Sequence, residues 1–379
     1  MTESFINSSL SLNMFSNREF EWCAWSSPSN IALAKYWGKK AQQIPENPSI
    51  SFTLDKCRTN MMVISSPKCG SETALNFYFE GEKANQFGKK AFSLINKVVT
   101  DYPILAEFDF QIISENTFPH SSGIASSASA MSALSLCLTE LLFSLCNSSF
   151  KNRDFFQVAS HYARLGSGSA CRSVYGGVAL WGETKEIKKS SDEYSIAMNE
   201  VHEKFLSFRD SVLIISSEQK AVSSTAGHGL MNDHPFKEIR YKNAYKNCLS
   251  LLDLMKSDDL WTWGEIVERE ALELHGLMMN SRDSFILMKP NTLSVIEKVR
   301  EFRHKKNVPV FFTLDAGPNV HLLYPEESLE VVREFILQDL LELCENGVWF
   351  DDKVGGGPTN LKQDHVNRVE KNKQGVKQC

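Results

Sequence analysis

Pro119-His-Ser-Ser-Gly-Ile-Ala-Ser-Ser-Ala-Ser-Ala130 is the stretch on which the reading of this chain turns. Gly123 lets the backbone approach a partner closely, and Ser126 and Ser127 open a strongly apolar run with helical character. Amides at a helix N-terminus point outwards unpaired and the helix dipole favours an anion, so a phosphate chain suits this position. Serine hydroxyls can add hydrogen bonds to phosphate oxygens or help to hold Mg²⁺. The same residues also allow a plainer reading, in which Ser126 or Ser127 simply caps the helix. No Gly-Lys-Ser/Thr follows the spacer, so this is not a Walker A loop.

At 379 residues the chain is long enough for two domains, since one core usually serves roughly 100–200 residues. Hydrophobic residues make up 42% and charged residues 23%, the balance of an ordinary soluble globular protein. The net charge of -5 gives no electrostatic reason to expect nucleic acid or a membrane surface as partner, so an anionic substrate needs a local cluster of cations. The nine cysteines are scattered without a Cys-x-x-Cys pair, which suggests neither a disulfide framework nor a structural zinc and fits a reducing cytoplasm. His202-Glu203 begins like a zincin helix, but Leu206 stands where the second histidine is needed. No signal peptide is read at the N-terminus. The most apolar window, Ala133–Leu145, is expected to be a buried helix, too short for a bilayer and carrying Glu140.

Strand-like runs lie at Asn60–Ser65, Ala74–Phe79, Phe108–Ile113, Val178–Trp181, Ser211–Ile215 and Val308–Leu314. Helical segments are expected at Lys83–Val99, from Ser126 onwards, at Asn152–Leu165, and around His234–Leu254, Trp261–Met279 and Leu293–Lys305. Such mixing argues for α/β or α+β and against a bundle. The expected division is an N-terminal domain over 1–205, with 1–20 an extension or an added edge strand, and a second domain over 206–362. A polar tail follows over 363–379.

Pro28-Ser-Asn-Ile-Ala-Leu-Ala-Lys-Tyr-Trp-Gly-Lys39 reads as a core strand that ends in a cation, with Ile31–Ala34 delivering Lys35. The apolar pattern alone gives no reason for that charge, because a buried cation is costly without an anion.

The serine loop resembles the phosphate loop of the GHMP kinases, Pro-x-x-x-Gly-Leu-x-Ser-Ser-Ala. Pro119, Gly123, Ile124 in place of Leu, Ser126, Ser127 and Ala128 match it. Four further segments resemble the diphosphomevalonate decarboxylase branch: Asn30 to Lys39, Gly166-Ser-Gly-Ser-Ala-Cys-Arg-Ser173, Thr313-Leu-Asp-Ala-Gly-Pro-Asn319 and Val354-Gly-Gly-Gly-Pro358. Order and spacing agree over roughly residues 24–360. The resemblance implies an α+β fold of the GHMP-kinase type. Its N-terminal domain is like domain 2 of ribosomal protein S5, with a left-handed βαβ crossover, and its C-terminal domain is ferredoxin-like. It further implies ATP and Mg²⁺, a small phosphorylated mevalonate substrate, and a homodimer.

The implied reaction phosphorylates the tertiary 3-hydroxyl of 5-diphosphomevalonate, and loss of phosphate then drives decarboxylation to isopentenyl diphosphate. A tertiary alcohol needs an acceptor to orient it, and Asp315 is the candidate, its plainer reading being a turn aspartate. Arg172 can hold the C1 carboxylate in a bidentate fork, or is a surface arginine after a helix cap. Lys35 suits the moving phosphoryl group. The resemblance assigns Tyr36, Lys39, Ser169 and Ser224 to the substrate's diphosphate, and Asn30 to orienting the carboxylate and Arg172. It assigns Pro119, Ser122, Gly123, Ala125, Ser126 and Ser127 to ATP, with Ser127 also counted among the catalytic residues and the candidate metal contact. Lys83, Lys89 and Lys90 either add cations nearby or form a solvated face.

Departures from the pattern are confined to a few places. His228 stands where a Met is usual after Ser224-Thr225, Asn232-Asp-His-Pro235 differs from the usual continuation, and His120 and Ser121 are unusual in the loop. Drift explains these, or else a pocket changed towards one phosphate. Alternatives of the same superfamily are a phosphomevalonate decarboxylase and a mevalonate 3-kinase; a non-enzymatic phospho-ligand sensor is the alternative of another class.

Overall fold

The computed structural model describes residues 2–15, 17–86, 88–119, 126–146, 150–218, 224–363 and 365, with backbone alone for Ser224 and Thr225. Strand β1 (Glu21–Ala32) pairs antiparallel with the long β2 (Ser49–Pro67), and β2 pairs in turn with β5 (Phe108–Asn116). Beyond β5 lie β3 (Leu75–Phe79), parallel to it, and the short β4 (Glu82–Lys83). β6 (Val178–Trp181) joins the first half of β2 and carries β7 (Ser195–Ala197).

Side chains alternate across this sheet with the period of two that a pleated strand imposes. Cys23, Trp25, Met61, Val63, Phe110 and Ile112 face a core shared with α2 (Lys89–Asp101), α3 (Ser126–Leu145) and α4 (Phe155–Gly166). Their neighbours Ala24, Met62, Ile64 and Ile113 face the opposite side, where Phe5, Ile6 and Phe15 cover them. Phe5 and Ile6 belong to helix α1 (Thr2–Ser11), so the first residues form a docked helix and not an edge strand. Burying each such side chain contributes roughly 1.5–3 kcal/mol, enough to hold so short a helix in place.

Two other expectations are corrected. Helix α2 begins at Lys89 and not Lys83, because Gly81, at φ 84°, turns the chain so that Glu82–Lys83 pairs back on β3. Helix α3 is 20 residues long and apolar enough to cross a membrane by length and composition, so the shortness inferred from Ala133–Leu145 does not hold. Burial identifies it as a core helix, since 72% of its apolar window lies inside the protein.

After a one-turn helix α5 (Glu203–Leu206), the second half builds an antiparallel sheet in the order β11-β8-β10-β9. Its strands are β8 (Arg209–Leu213), β9 (Phe311–Thr313), β10 (Val320–Tyr324) and β11 (Trp349–Lys353). Around it are α6 (Ser224–Gly229), α7 (Lys237–Leu254), α8 (Leu260–Met279), α9 (Pro290–Lys306) and α10 (Leu329–Phe335). Ile31, Leu33, Phe52 and Leu54 of the first half pack with Phe208, Val212, Trp263 and Phe311 of the second in one continuous apolar cluster.

The chain also crosses back. After β11, the segment Val354-Gly-Gly-Gly-Pro358 leads to β12 (Thr359–Asn360), which pairs with Trp25 and Ser26 of β1. Glycine is required there by close approach: a Cβ on Gly355 would lie 2.6 Å from the Asp55 Cα, and one on Gly176 2.4 Å from the Gly356 carbonyl carbon. The buried Asp352 carboxylate adds a second tie, accepting from the N–H groups of Asp55 (3.0 Å), Lys56 (2.8 Å) and Cys57 (2.8 Å). Those residues lie where the β1–β2 register shifts, so amides that the ladder leaves unpaired find an acceptor on the other half.

Candidate active site

Strand β1 ends at Ala32, three residues before Lys35, so the lysine sits on an irregular segment at the strand's end and not in the strand itself. Leu33 N–H still donates to the Ile50 carbonyl (2.8 Å); at Ala34 and Lys35 side chains take over as partners of the backbone. Lys35 N–H donates to Glu270 Oε2 (2.8 Å), and the Lys35 carbonyl accepts from Arg240 Nη2 (3.1 Å) and Asn47 Nδ2 (3.1 Å). The Lys35 side chain is only 2% exposed, and its Nζ lies 3.0 Å from Oδ1 of Asp315, whose side chain is 29% exposed. Burial lowers the Lys35 pKa, while the carboxylates of Asp315 and Glu270 oppose that shift and Arg172 adds to it.

Asp315 follows β9 in the Thr313–Asn319 loop of the second half. Gly317 N–H donates to its carbonyl (2.7 Å), and His275 Nε2 of α8 lies 3.1 Å from the same oxygen. The pair therefore joins the two halves of the molecule.

Arg172 rises from a 3₁₀ turn (Gly168–Val174) directly after α4 and is fully buried, so the reading as a surface arginine is excluded. Its Nη1 donates to Ser49 Oγ (3.0 Å) and its Nη2 to Asn30 Oδ1 (3.2 Å). Asn30 is itself fixed, donating to the Ser169 carbonyl (3.1 Å) and to Ser173 Oγ (2.7 Å). Arg172 Nε is a buried donor without a partner among the described residues. Burial depresses the Arg172 pKa, with the nearby Asp315 among the groups opposing that. A guanidinium with spare donors and no paired carboxylate is suited to receive an anionic ligand.

Tyr36 packs against Trp181 (ring centroids 4.6 Å apart) and His228 (4.3 Å), and its buried hydroxyl has no partner among the described residues. Trp37 is buried beside His228 (4.7 Å) with Met231, Leu274, Leu277 and Met278. Gly38 takes φ 91°, and a Cβ there would lie 2.3 Å from the Tyr241 hydroxyl. Its N–H donates to His228 Nδ1 (3.0 Å), so His228 is a neutral acceptor clasping the Lys-Tyr-Trp-Gly segment. Burial, helped by Lys39, lowers the His228 pKa to about 3.

Lys39 lies at the other end of that segment, half-buried, donating to Gln43 Oε1 (2.9 Å). Burial lowers its pKa, and the charges of Lys90 and Lys97 on α2 lower it further. Lys90 thus adds to the cationic field at Lys39, whereas Lys83 is exposed on β4.

Ser126 and Ser127 are the first residues of α3, both partly buried, and Ser127 Oγ lies 3.4 Å from Ser167 Oγ. Pro119 is exposed at the end of the preceding segment. Ser122, Gly123 and Ala125 lie outside the described residues, as do His120 and Ser121, and the Ser224 side chain is likewise undescribed. Among the described residues, no group of three His, Cys, Asp or Glu is gathered that could hold a metal by itself.

Lys35, Arg172, Asn30, Tyr36 and Asp315 are therefore linked in one neighbourhood. Sequence reasoning missed Glu270, Arg240, Asn47, Ser49 and Lys97. Asn47 and Ser49 carried a faint signal as polar neighbours of the motif; Glu270, Arg240 and Lys97 look like any charge on a helix.

A two-domain α+β molecule with a lysine–aspartate pair joining its halves and a long helix opened by two serines is of the GHMP-kinase fold. The diphosphomevalonate decarboxylase-like N-terminal domain matches residues 27–196, and the mevalonate 5-diphosphate decarboxylase C-terminal domain matches residues 211–378. The chain belongs to the diphosphomevalonate decarboxylase family. It is 27% identical to the diphosphomevalonate decarboxylase of Schizosaccharomyces pombe, over 92% of this chain and 88% of that protein. With that of Danio rerio it shares 28%, over 88% of this chain and 84% of the other. Among solved structures, mevalonate diphosphate decarboxylase from Staphylococcus aureus superposes with a TM-score of 0.77 at 28% identity, covering 90% of this chain and 98% of that one. A structure described as MDDEF in complex with MVAPP, AMPPCP and magnesium gives 0.76 at 29% identity, over 90% and 99%.

Proposed function

We propose that this protein is an ATP- and Mg²⁺-dependent diphosphomevalonate decarboxylase of the mevalonate pathway of isoprenoid biosynthesis, forming isopentenyl diphosphate. The observation that carries the reading is the Lys35–Asp315 pair at 3.0 Å, beside a buried Arg172 whose Nε has no partner among the described residues.

Asp315 orients the 3-hydroxyl and takes its proton as that oxygen attacks the γ-phosphorus. Lys35 faces the charge that builds up on the transferring group. Phosphate then leaves with the C3–O electron pair. The C1–C2 pair becomes the C2=C3 double bond and C1 departs as CO₂. Throughout, Arg172, oriented by Asn30 and Ser49, holds the C1 carboxylate in line. Tyr36, Lys39, Ser169 and Ser224 address the substrate's diphosphate, within the field of Lys90 and Lys97.

The donor set fits ATP with its metal. Ser126 and Ser127 present hydroxyls and amides at the start of a 20-residue helix, the arrangement that suits a phosphate chain. Ser127 is the side chain that would reach Mg²⁺, and Pro119, Ser122, Gly123 and Ala125 complete the loop. Mg²⁺ supplies charge neutralisation on the phosphates when bound.

We further infer a homodimer in a reducing cytoplasm. The family resemblance supports the first, and light scattering tests it. The described cysteines, all of them free thiols, support the second, and imaging of the tagged chain tests it.

The deciding assay supplies diphosphomevalonate or monophosphomevalonate with ATP and Mg²⁺ and measures ADP and CO₂ together. Equal release from the diphosphate is expected. ADP without CO₂ would identify a 3-kinase, and preferential turnover of the monophosphate would identify the other decarboxylase.

A further inference from the structure

Glu270 on α8 and Arg240 on α7 form a buried ion pair, with Arg240 Nη2 donating to Glu270 Oε2 (2.7 Å) and Nη1 to Oε1 (2.8 Å). Asn247 Nδ2 donates to Glu270 Oε1 (2.7 Å), and Glu273 Oε2 accepts from Arg240 Nη1 (2.8 Å). Burial alone would raise the Glu270 pKa, but the charge and hydrogen bonds of Arg240, with those of Asn247 and the Lys35 amide, bring it below the usual value. A buried ion pair is a poor way to gain stability, because desolvating both charges offsets much of their attraction. This one does something an apolar pair could not do. Glu270 Oε2 accepts from Lys35 N–H and Arg240 Nη2 donates to the Lys35 carbonyl, so one pair from the second half holds both polar groups of a single peptide residue in the first.

The same helix reaches the other partner. Five residues after Glu270, His275 Nε2 lies 3.1 Å from the carbonyl oxygen of Asp315. Helix α8 thus contacts the backbone of both Lys35 and Asp315, whose side chains meet at 3.0 Å.

We propose that Arg240 and Glu270 are positioning residues for the phosphoryl-transfer step, clasping the Lys35 backbone so that its ammonium is held against Asp315 and the transferring group. This deepens the reading of Lys35 given above and rests on it. Neither residue touches substrate; both act through Lys35. Removing the clasp lets the end of β1 drift, and displacements of about 1 Å at a reacting group can lower turnover about 100-fold.

The test compares the full-length wild type with Glu270→Gln, which keeps shape and an acceptor but removes the charge, and with Arg240→Lys. The lysine keeps a cation beside Glu270 but cannot reach the Lys35 carbonyl as well. In folded variants kcat is expected to fall about 100-fold, with KM for both substrates within about twofold. The groups acting on Lys35 are Asp315, Glu270, Arg172, Asp210 and Arg240. Losing the Glu270 charge therefore moves the alkaline limb of kcat to lower pH, which a merely structural defect would not do. Wild-type kcat in either folded variant overturns the proposal, even where the other fails to fold, and so does an unmoved alkaline limb in folded Glu270→Gln. A wild-type chain that releases no CO₂ counts against the proposed reaction instead. The clasp is then read by NMR titration of the Lys35 ammonium, whose pKa falls in Glu270→Gln if the proposal holds and stays fixed if it does not.

Discussion

Lys35 and Lys39 are four residues apart on one short segment and live in different worlds. The first is sealed in the domain junction, with its backbone gripped by Glu270, Arg240 and Asn47 and its ammonium set on Asp315. The second is half-buried, its ammonium held among the described residues by Gln43, and sits in the repulsive field of Lys90 and Lys97. Between them Gly38, at φ 91°, turns the chain, and His228 pins the turn from α6. On the proposed reading Lys35 meets a transition state and needs the fixed position that these tertiary contacts supply. On the same reading Lys39 meets a flexible diphosphate and only needs to add to a local positive field.

The comparison breaks first at Asp315. Asp315→Asn is expected to lower kcat by about 10²–10⁴-fold with substrate binding kept, measured by coupled ADP release and a binding titration. Full turnover in that variant would remove Asp315 from the chemistry. Next, Arg172→Lys keeps the charge but loses the fork that Ser49 and Asn30 orient, and about 10²-fold is expected in kcat for CO₂ release. Lys39→Ala should instead act on binding, raising KM for the substrate about tenfold with kcat within about twofold and weakening the salt dependence of kcat/KM. An equal loss in kcat would make the two lysines alike.

The smallest effect concerns the turn between them. Because folding lowers the His228 pKa from 6.5 to about 3, the unfolded chain binds the extra proton over that range. His228 thus contributes stability that is complete above about pH 6.5 and is lost as pH falls towards 3. In His228→Met, Tm should fall less steeply over that window. At neutral pH the variant should be less stable by about 1–3 kcal/mol, because the Gly38 N–H loses its acceptor. An unchanged acid limb of the Tm profile would show that His228 is not the group that titrates.

Much of the architecture was legible because it is written in local patterns. The alternating runs of β2 and β5 and the long apolar α3 need only their own residues to declare themselves. Residues 1–20 were legible only as an extension or an added edge strand, since a ten-residue helix with three buried side chains gives little periodic signal and is stabilised mainly by the sheet face that it covers. The beginning of α2 was misplaced because Gly81 makes a hairpin there, a turn that depends on β3 being in place.

The site divides in the same way. Asn30, Lys35, Arg172 and Asp315 stand out in the chain because small and aromatic neighbours give them an improbable setting. Nothing marks Glu270 or Arg240, since a charged residue on a helix reads as solvated until the helix is seen to turn it inward. The sequence by itself determined the α+β class and the family, and it marked Asn30, Lys35, Arg172 and Asp315 as candidates for the chemistry. Tertiary structure alone decided what faces what, including the 3.0 Å Lys35–Asp315 pair and the clasp on the Lys35 backbone. Those contacts join residues 200 and more positions apart, and only the packing of the two halves around Phe52, Trp263 and Phe311 brings them within reach.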